Sequence, residues 1–139
     1  MTLIPDQELQ LALNSALATA FPTMPIAWEN AVYKPIANTA YLKAFLLPAE
    51  TMVETLGPTP WQERKGIFQV SVVYPIGGGF LAPKIKAVEV VSAFKASTAI
   101  TSNGLRILIN KSWPGPGFFD TAGWYQIPVS VSYSCYSDQ

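Results

Sequence analysis

No histidine occurs in the 139 residues, cysteine occurs once, and only 13% of the chain is charged. Without histidine the chain lacks the commonest general base and the commonest metal ligand. Ser-His-Asp and Cys-His arrangements are therefore impossible, and a zinc site of the usual kind is not expected. The single Cys135 rules out an internal disulfide, and its place on an alternating apolar segment reads as a small buried side chain. Nine Lys and Arg balance nine Asp and Glu, so the basic excess that drives nucleic-acid affinity is missing and sequence-specific nucleic-acid binding is not expected. The chain does not open with a basic flank and an apolar segment of signal-peptide form, and no apolar run is long enough to span a bilayer. These features point away from a membrane and toward a cytoplasm, or a particle assembled in one.

Two motifs invite chemistry and fail on mechanism. Gly77-Gly78-Gly79 lies between a strand pattern and a helix pattern. It has neither a Gly-Lys-Ser/Thr at the helix start nor a Gly-x-Gly-x-x-Gly spacing, so it reads as a flexible turn and no nucleotide or other cofactor is expected. Glu50 and Glu54 stand four apart, and Glu29 and Glu63 are further carboxylates. Nothing in their spacing gathers two of them in an apolar pocket, so catalysis is not expected either.

What is present is apolar surface: half the residues are hydrophobic. A chain of this length forms one domain, residues 1–139, with a substantial core. Its low charge density suits a subunit whose surface is partly covered by neighbours. Leu9, Ala12, Leu13, Ala16, Leu17 and Ala20 recur at spacings of three and four, predicting a helix over 5–20 opened by Pro5 and stopped before Pro22. A short strand is expected at 25–29, and a strand apolar on both sides at 41–47. Residues 48–65 carry four Gly or Pro beside mixed charge and read as a projecting loop or loose hairpin. Residues 66–74 alternate as a strand, and 82–96 read as a second helix with the stripe Ala87, Val90, Val91 and Phe94. Leu81, Ile85 and Val88 widen that stripe, so this helix is expected to be covered on more than one side. Ser102-Asn103-Gly104 predicts a turn, 105–111 a strand, 113–117 a loop, and 124–135 a last strand that Pro128 makes an edge or a bulge. The order implies an α+β fold, with an antiparallel or mixed sheet of about four to five strands and two helices packed on one face. Trp28 and Trp124 read as core, whereas Trp61 and Trp113, placed in loops, read as interface anchors. Glu63, Arg64 and Lys65 join Trp61 and Trp113 as the candidate interface.

Trp28-Glu29-Asn30, Tyr41-Leu42, Leu56-Gly57-Pro58, Arg64-Lys65-Gly66-Ile67-Phe68-Gln69-Val70, the glycines, Phe94 and Gly123-Trp124-Tyr125-Gln126-Ile127-Pro128-Val129 together resemble a phage tail-terminator family over nearly the whole chain. The order and spacing of these pieces carry the resemblance. Residues 97–101 and the length before Trp124 depart from it. The resemblance implies a structural virion protein, with no catalytic residues, at the head-proximal end of a phage tail. In that role a homohexameric ring caps the major tail tube protein, stops its polymerisation and offers the docking surface for the head-tail connector, while DNA passes through its lumen. Another neck or tail-completion subunit, or a small ligand-binding module, are the alternatives.

Overall fold

The computed structural model describes residues 5–48, 52–53, 62–102, 105–120 and 122–137. The order along the chain is α1 (Pro5–Ala20), β1 (Ile26–Trp28), β2 (Tyr41–Pro48), β3 (Met52–Val53), β4 (Gln62–Pro75), α2 (Leu81–Ala93), β5 (Ala99–Ser102), β6 (Leu105–Pro114), β7 (Phe118–Phe119) and β8 (Trp124–Ser137). The class is α+β as expected, but the strands outnumber the expected four to five. One sheet runs β1-β2-β4-β8-β6-β5, with β3 added beside β4 and β7 beside β8. The additional strands are two to four residues long, too short for a period-2 pattern to register. The sheet is mixed only because β1 runs parallel to β2.

β4 and β8 form the spine, pairing from Gln62↔Ser137 to Pro75↔Trp124. Even-numbered β4 residues and odd-numbered β8 residues put Phe68, Val70, Val72, Val129, Val131 and Tyr133 on one face. Both helices close over it with Leu9, Leu13, Leu17, Ala87, Val90 and Phe94. Phe68 meets Phe94 edge-on, ring centroids 5.8 Å apart. Cys135 is fully buried in this core.

Local chemistry sets the helix ends. α1 has the expected bounds, and Phe21 N–H still donates to the Leu17 carbonyl before Pro22. In α2, Pro83 falls in the first turn, where a missing N–H costs nothing. The helix stops at Ala93, earlier than its apolar pattern suggests. Phe94 N–H is shared between the Val90 and Val91 carbonyls, and Ser112 Oγ on β6 donates to the Phe94 carbonyl at 2.7 Å, with the Val91 carbonyl at 3.3 Å. A strand side chain thus supplies the cap that the helix's own sequence lacks. The chain next adopts a positive φ at Ser97 and forms β5, within the stretch that departs from the family resemblance.

Three other expectations change. The strand expected from Gly66 begins at Gln62 and pairs there with both β3 and β8, so of the two readings of 48–65, loop or loose hairpin, the base of the segment is a hairpin. Residues 49–51, 54–61, 103 and 104 lie outside the described residues, including the tip of that segment and the Asn103-Gly104 turn. Trp113 and Pro114 belong to β6 and not to a loop. A bulge between Ile109 and Lys111 shifts the register and carries β6 on to pair with Ser130 and Val129. Finally, Pro128 sits in an interior strand. Its missing N–H is tolerated because β6 ends beside it, and only the Pro128 carbonyl is used on that side, accepting from Gly115 N–H.

Candidate functional site

The described surface offers contact areas. The sheet face away from the helices carries a polar stripe: Gln69, Ser71, Gln126, Ser130, Ser132 and Ser134 alternate with the core residues of β4 and β8, beside the apolar Ile67, Val73, Phe45 and Leu47. Ser71, Gln126 and Ser134 are buried, and Asn110 on the bulge donates to Ser134 Oγ at 2.8 Å. At one end of this face Tyr33, Tyr41 and Trp124 cluster, Tyr33 tilted against Tyr41 and Trp124 edge-on to it, with centroids 4.8 and 5.5 Å apart. Trp124 therefore packs on this face, while Trp28 packs against the helix-covered core. Burial chiefly, with smaller contributions from Asp120 and Tyr33, raises the Tyr41 hydroxyl above its ordinary value.

Asp120 organises the turn into β8. Its Oδ1 accepts from the Ala122 and Trp124 N–H groups at 2.9 and 3.0 Å, and its Oδ2 accepts from Gln126 Nε2. Burial opposes ionisation of this carboxyl, but these hydrogen bonds and nearby Lys43 outweigh it and hold the pKa below the ordinary value. Glu29 does comparable work at the end of β1. β1 ends at Trp28, and the Glu29 carboxylate takes the next open N–H of β2, that of Leu46, at 2.8 Å while also accepting from Gln10 on α1. Both carboxylates are structural ties.

The second contact area is apolar. Leu81, Ile85 and Val88 stand 53–63% exposed along the outer side of α2, opposite buried Pro83, Ala87 and Val90. The helix is thus covered on one side only within the chain, contrary to the expectation of cover on several. The row continues through Phe80 to Ile76 and Phe119, which line a concavity of about 490 Å³ with Tyr125. Gly77 and Gly79 take positive φ in the turn that carries the chain around this concavity, with open space beside them.

Of the candidate interface residues, Trp61 lies outside the described residues. Glu63 stands in β4 opposite Tyr136, and Arg64 opposite Cys135 on the helix-bearing face. Lys65 stands opposite Ser134 on the polar face, and Trp113 opposite Ser130 on that same face, half-buried with the Lys111 ammonium 5.1 Å over its ring. Lys65 and Trp113 lie on opposite sides of β8, and the β8 residues they face are four apart, about 13 Å along the strand. The candidates thus do not form one patch. The α2 row escaped sequence reasoning as a site because an apolar helix face reads as core whether or not anything covers it.

Among the described residues no three His, Cys, Asp or Glu gather as a metal site, and no helix is long and apolar enough to cross a membrane. A sheet whose second face no helix covers, and a helix with an uncovered apolar side, leave two surfaces for contact with other chains. The chain belongs to the phage tail terminator family, whose model matches residues 8–133. It is a structural protein of the phage tail and not an enzyme. One solved chain, whose name states no function, is 26% identical, covers 96% of each chain and superimposes with a TM-score of 0.76. A second comes from the virion of a native gene transfer agent particle. At 17% identity, with 98% of this chain and 100% of that one covered and a TM-score of 0.62, it shows the shared fold. No curated protein matches.

Proposed function

We propose that this protein ends the phage tail: identical subunits, six in number, close into a ring on the last ring of the major tail tube protein and present the opposite face to the head-tail connector. The observation that carries this reading is the family match, which runs through both helices and the spine of the sheet. The surface supports it, since a subunit that meets neighbours around a ring and along an axis needs more than one contact area. A tube grows by heterologous contacts that repeat without limit. Growth stops when the terminal subunit matches the tube on one face and offers the tube protein nothing on the other. That task requires no chemistry and no resident cofactor. DNA passes through the lumen, so contact with it is weak and independent of sequence. The head-proximal end of the virion tail is then the site of action, with assembly in the host cytoplasm.

A phage lacking this protein tests the reading. Filled heads should stay separate from tails, and electron microscopy should show tubes that overrun their normal length, because an uncapped end keeps the contacts that added its last ring. Normal-length tails joined to heads would refute the proposal. Tails of normal length left unattached would assign the chain to tail completion.

A further inference from the structure

The outer row of α2 and a groove beside α1 fit each other as two halves of one repeating contact. Six residues, Ile76, Phe80, Leu81, Ile85, Val88 and Phe119, are each at least half exposed. Together they leave on the order of 500 Å² of apolar surface in water. That is at the top of the range for the largest patch of an ordinary monomer, about 300–600 Å², and more than half of the roughly 800 Å² that one partner contributes to a standard interface.

Elsewhere on the molecule, a groove of about 640 Å³ runs between α1, the end of α2 and β5, walled by Leu11 and Ile100, with Ala12, Ser15 and Ala16 along it and Glu8 at its α1 N-terminal end. Leu11 is itself 53% exposed. Leu81, Ile85 and Val88 stand out from α2 as a row of branched side chains, and the groove is a trough floored by small side chains between Leu11 and Ile100. Their rims carry opposite charge. Lys84 lies on α2 between Leu81 and Val88, and Glu8 is the acidic residue of the groove. On the row itself the Lys84 ammonium sits 5.5 Å over the Phe80 ring, and Glu89 on the other flank pairs with Lys86 at 3.1 Å.

We propose that the α2 row of one copy seats in the α1–β5 groove of the next, with Lys84 toward Glu8, and that this head-to-tail contact joins neighbours around the ring. The proposal rests on the ring reading above and adds its geometry. Because row and groove are different surfaces, each addition leaves one of each open, and the series ends only by closing on itself. A contact of α2 with α2 would stop at a pair.

The test uses Ile85→Arg and Ser15→Arg, both at exposed helical positions, so each variant should keep the wild-type circular dichroism and melting temperature. Native mass spectrometry is run at high protein concentration, alone and with purified tail tubes. Wild type should assemble into a ring, and each variant alone should remain monomeric. An equimolar mixture should give a 1:1 pair and nothing larger, because only the unaltered row of one variant and the unaltered groove of the other can meet. Rings formed by either variant alone, or a mixture that stays monomeric while wild type forms rings, would overturn the head-to-tail contact and leave the ring reading standing. Variants that form rings but do not bind tubes would give the surface to the tube protein and overturn the contact equally. Wild type that stays monomeric even on tube ends would remove the ring and this contact with it.

Discussion

Replacing Gly66 by alanine should destabilise the protein, against the general trend for a strand glycine. An alanine in a strand interior ordinarily gains about 0.5–1 kcal/mol, because it loses less backbone freedom on folding. At Gly66, however, a Cβ would stand 2.6 Å from the Leu47 carbonyl oxygen, 2.6 Å from the Tyr133 hydroxyl and 3.0 Å from the Pro48 Cα. Gly66 pairs with both Pro48 on β2 and Tyr133 on β8, so the added carbon meets the ladder on one side and a buried ring on the other. Tyr133 is 1% exposed and cannot swing into solvent without opening the core. Overpacking of this kind costs about 1–3 kcal/mol, and here the upper part of that range applies because two of the three contacts are backbone. Set against the entropic gain, the net loss is about 1–2 kcal/mol. For a chain of this size that lowers the melting temperature by roughly 3–8 °C. Urea unfolding of wild type, Gly66→Ala, Tyr133→Phe and the double variant measures it. The double variant should recover part of the loss, a favourable coupling of about 0.5 kcal/mol or more, since the hydroxyl clash is gone while the carbonyl clash remains. A Gly66→Ala protein as stable as wild type, or more stable, would show that the close approach does not constrain position 66.

Three further outcomes follow from other parts of the fold. Ser112→Ala removes the donor that caps α2 from β6 and should cost about 1–2 kcal/mol in urea unfolding, whereas an unchanged midpoint would mean that water replaces the hydroxyl. Asp120 has a depressed folded-state pKa, so its stabilising contribution is present above the unfolded value of about 3.9 and is lost as pH falls through the folded value. Melting temperatures from pH 7 to pH 2 should therefore fall less steeply at the acid end for Asp120→Asn than for wild type, and parallel curves would count against the assignment. Shortening the segment between β3 and β4, which contains Trp61, should leave melting unchanged while blocking either tube capping or head attachment in a complementation assay. A folded, shortened variant that caps and joins at the normal rate would make the segment a passive connection.

Much of this protein was determined by local sequence. The three-and-four spacing from Leu9 to Ala20, bounded by Pro5 and Pro22, sets α1, and strict alternation sets the middles of β4 and β8 and the buried place of Cys135. These signals need only neighbours along the chain, because helix and strand periods decide which side chains share a face. The α+β class follows from their order, while the resemblance to the tail-terminator family rests on the identity and spacing of pieces such as Arg64 to Val70 and Gly123 to Val129. Tertiary structure decided the rest. β3, β5 and β7 are two to four residues long and exist because a longer strand offers them a ladder. Trp113 entered β6 because a bulge at Asn110 restored its register with Ser130. α2 ended at Ala93 because Ser112, eighteen residues beyond Phe94, supplies its cap. The sharpest case is α2 itself, apolar on more than one side. Composition marks such a helix for burial on every apolar side, but the single chain has only one sheet face to cover it with, and which side stays in water depends on which side that face takes.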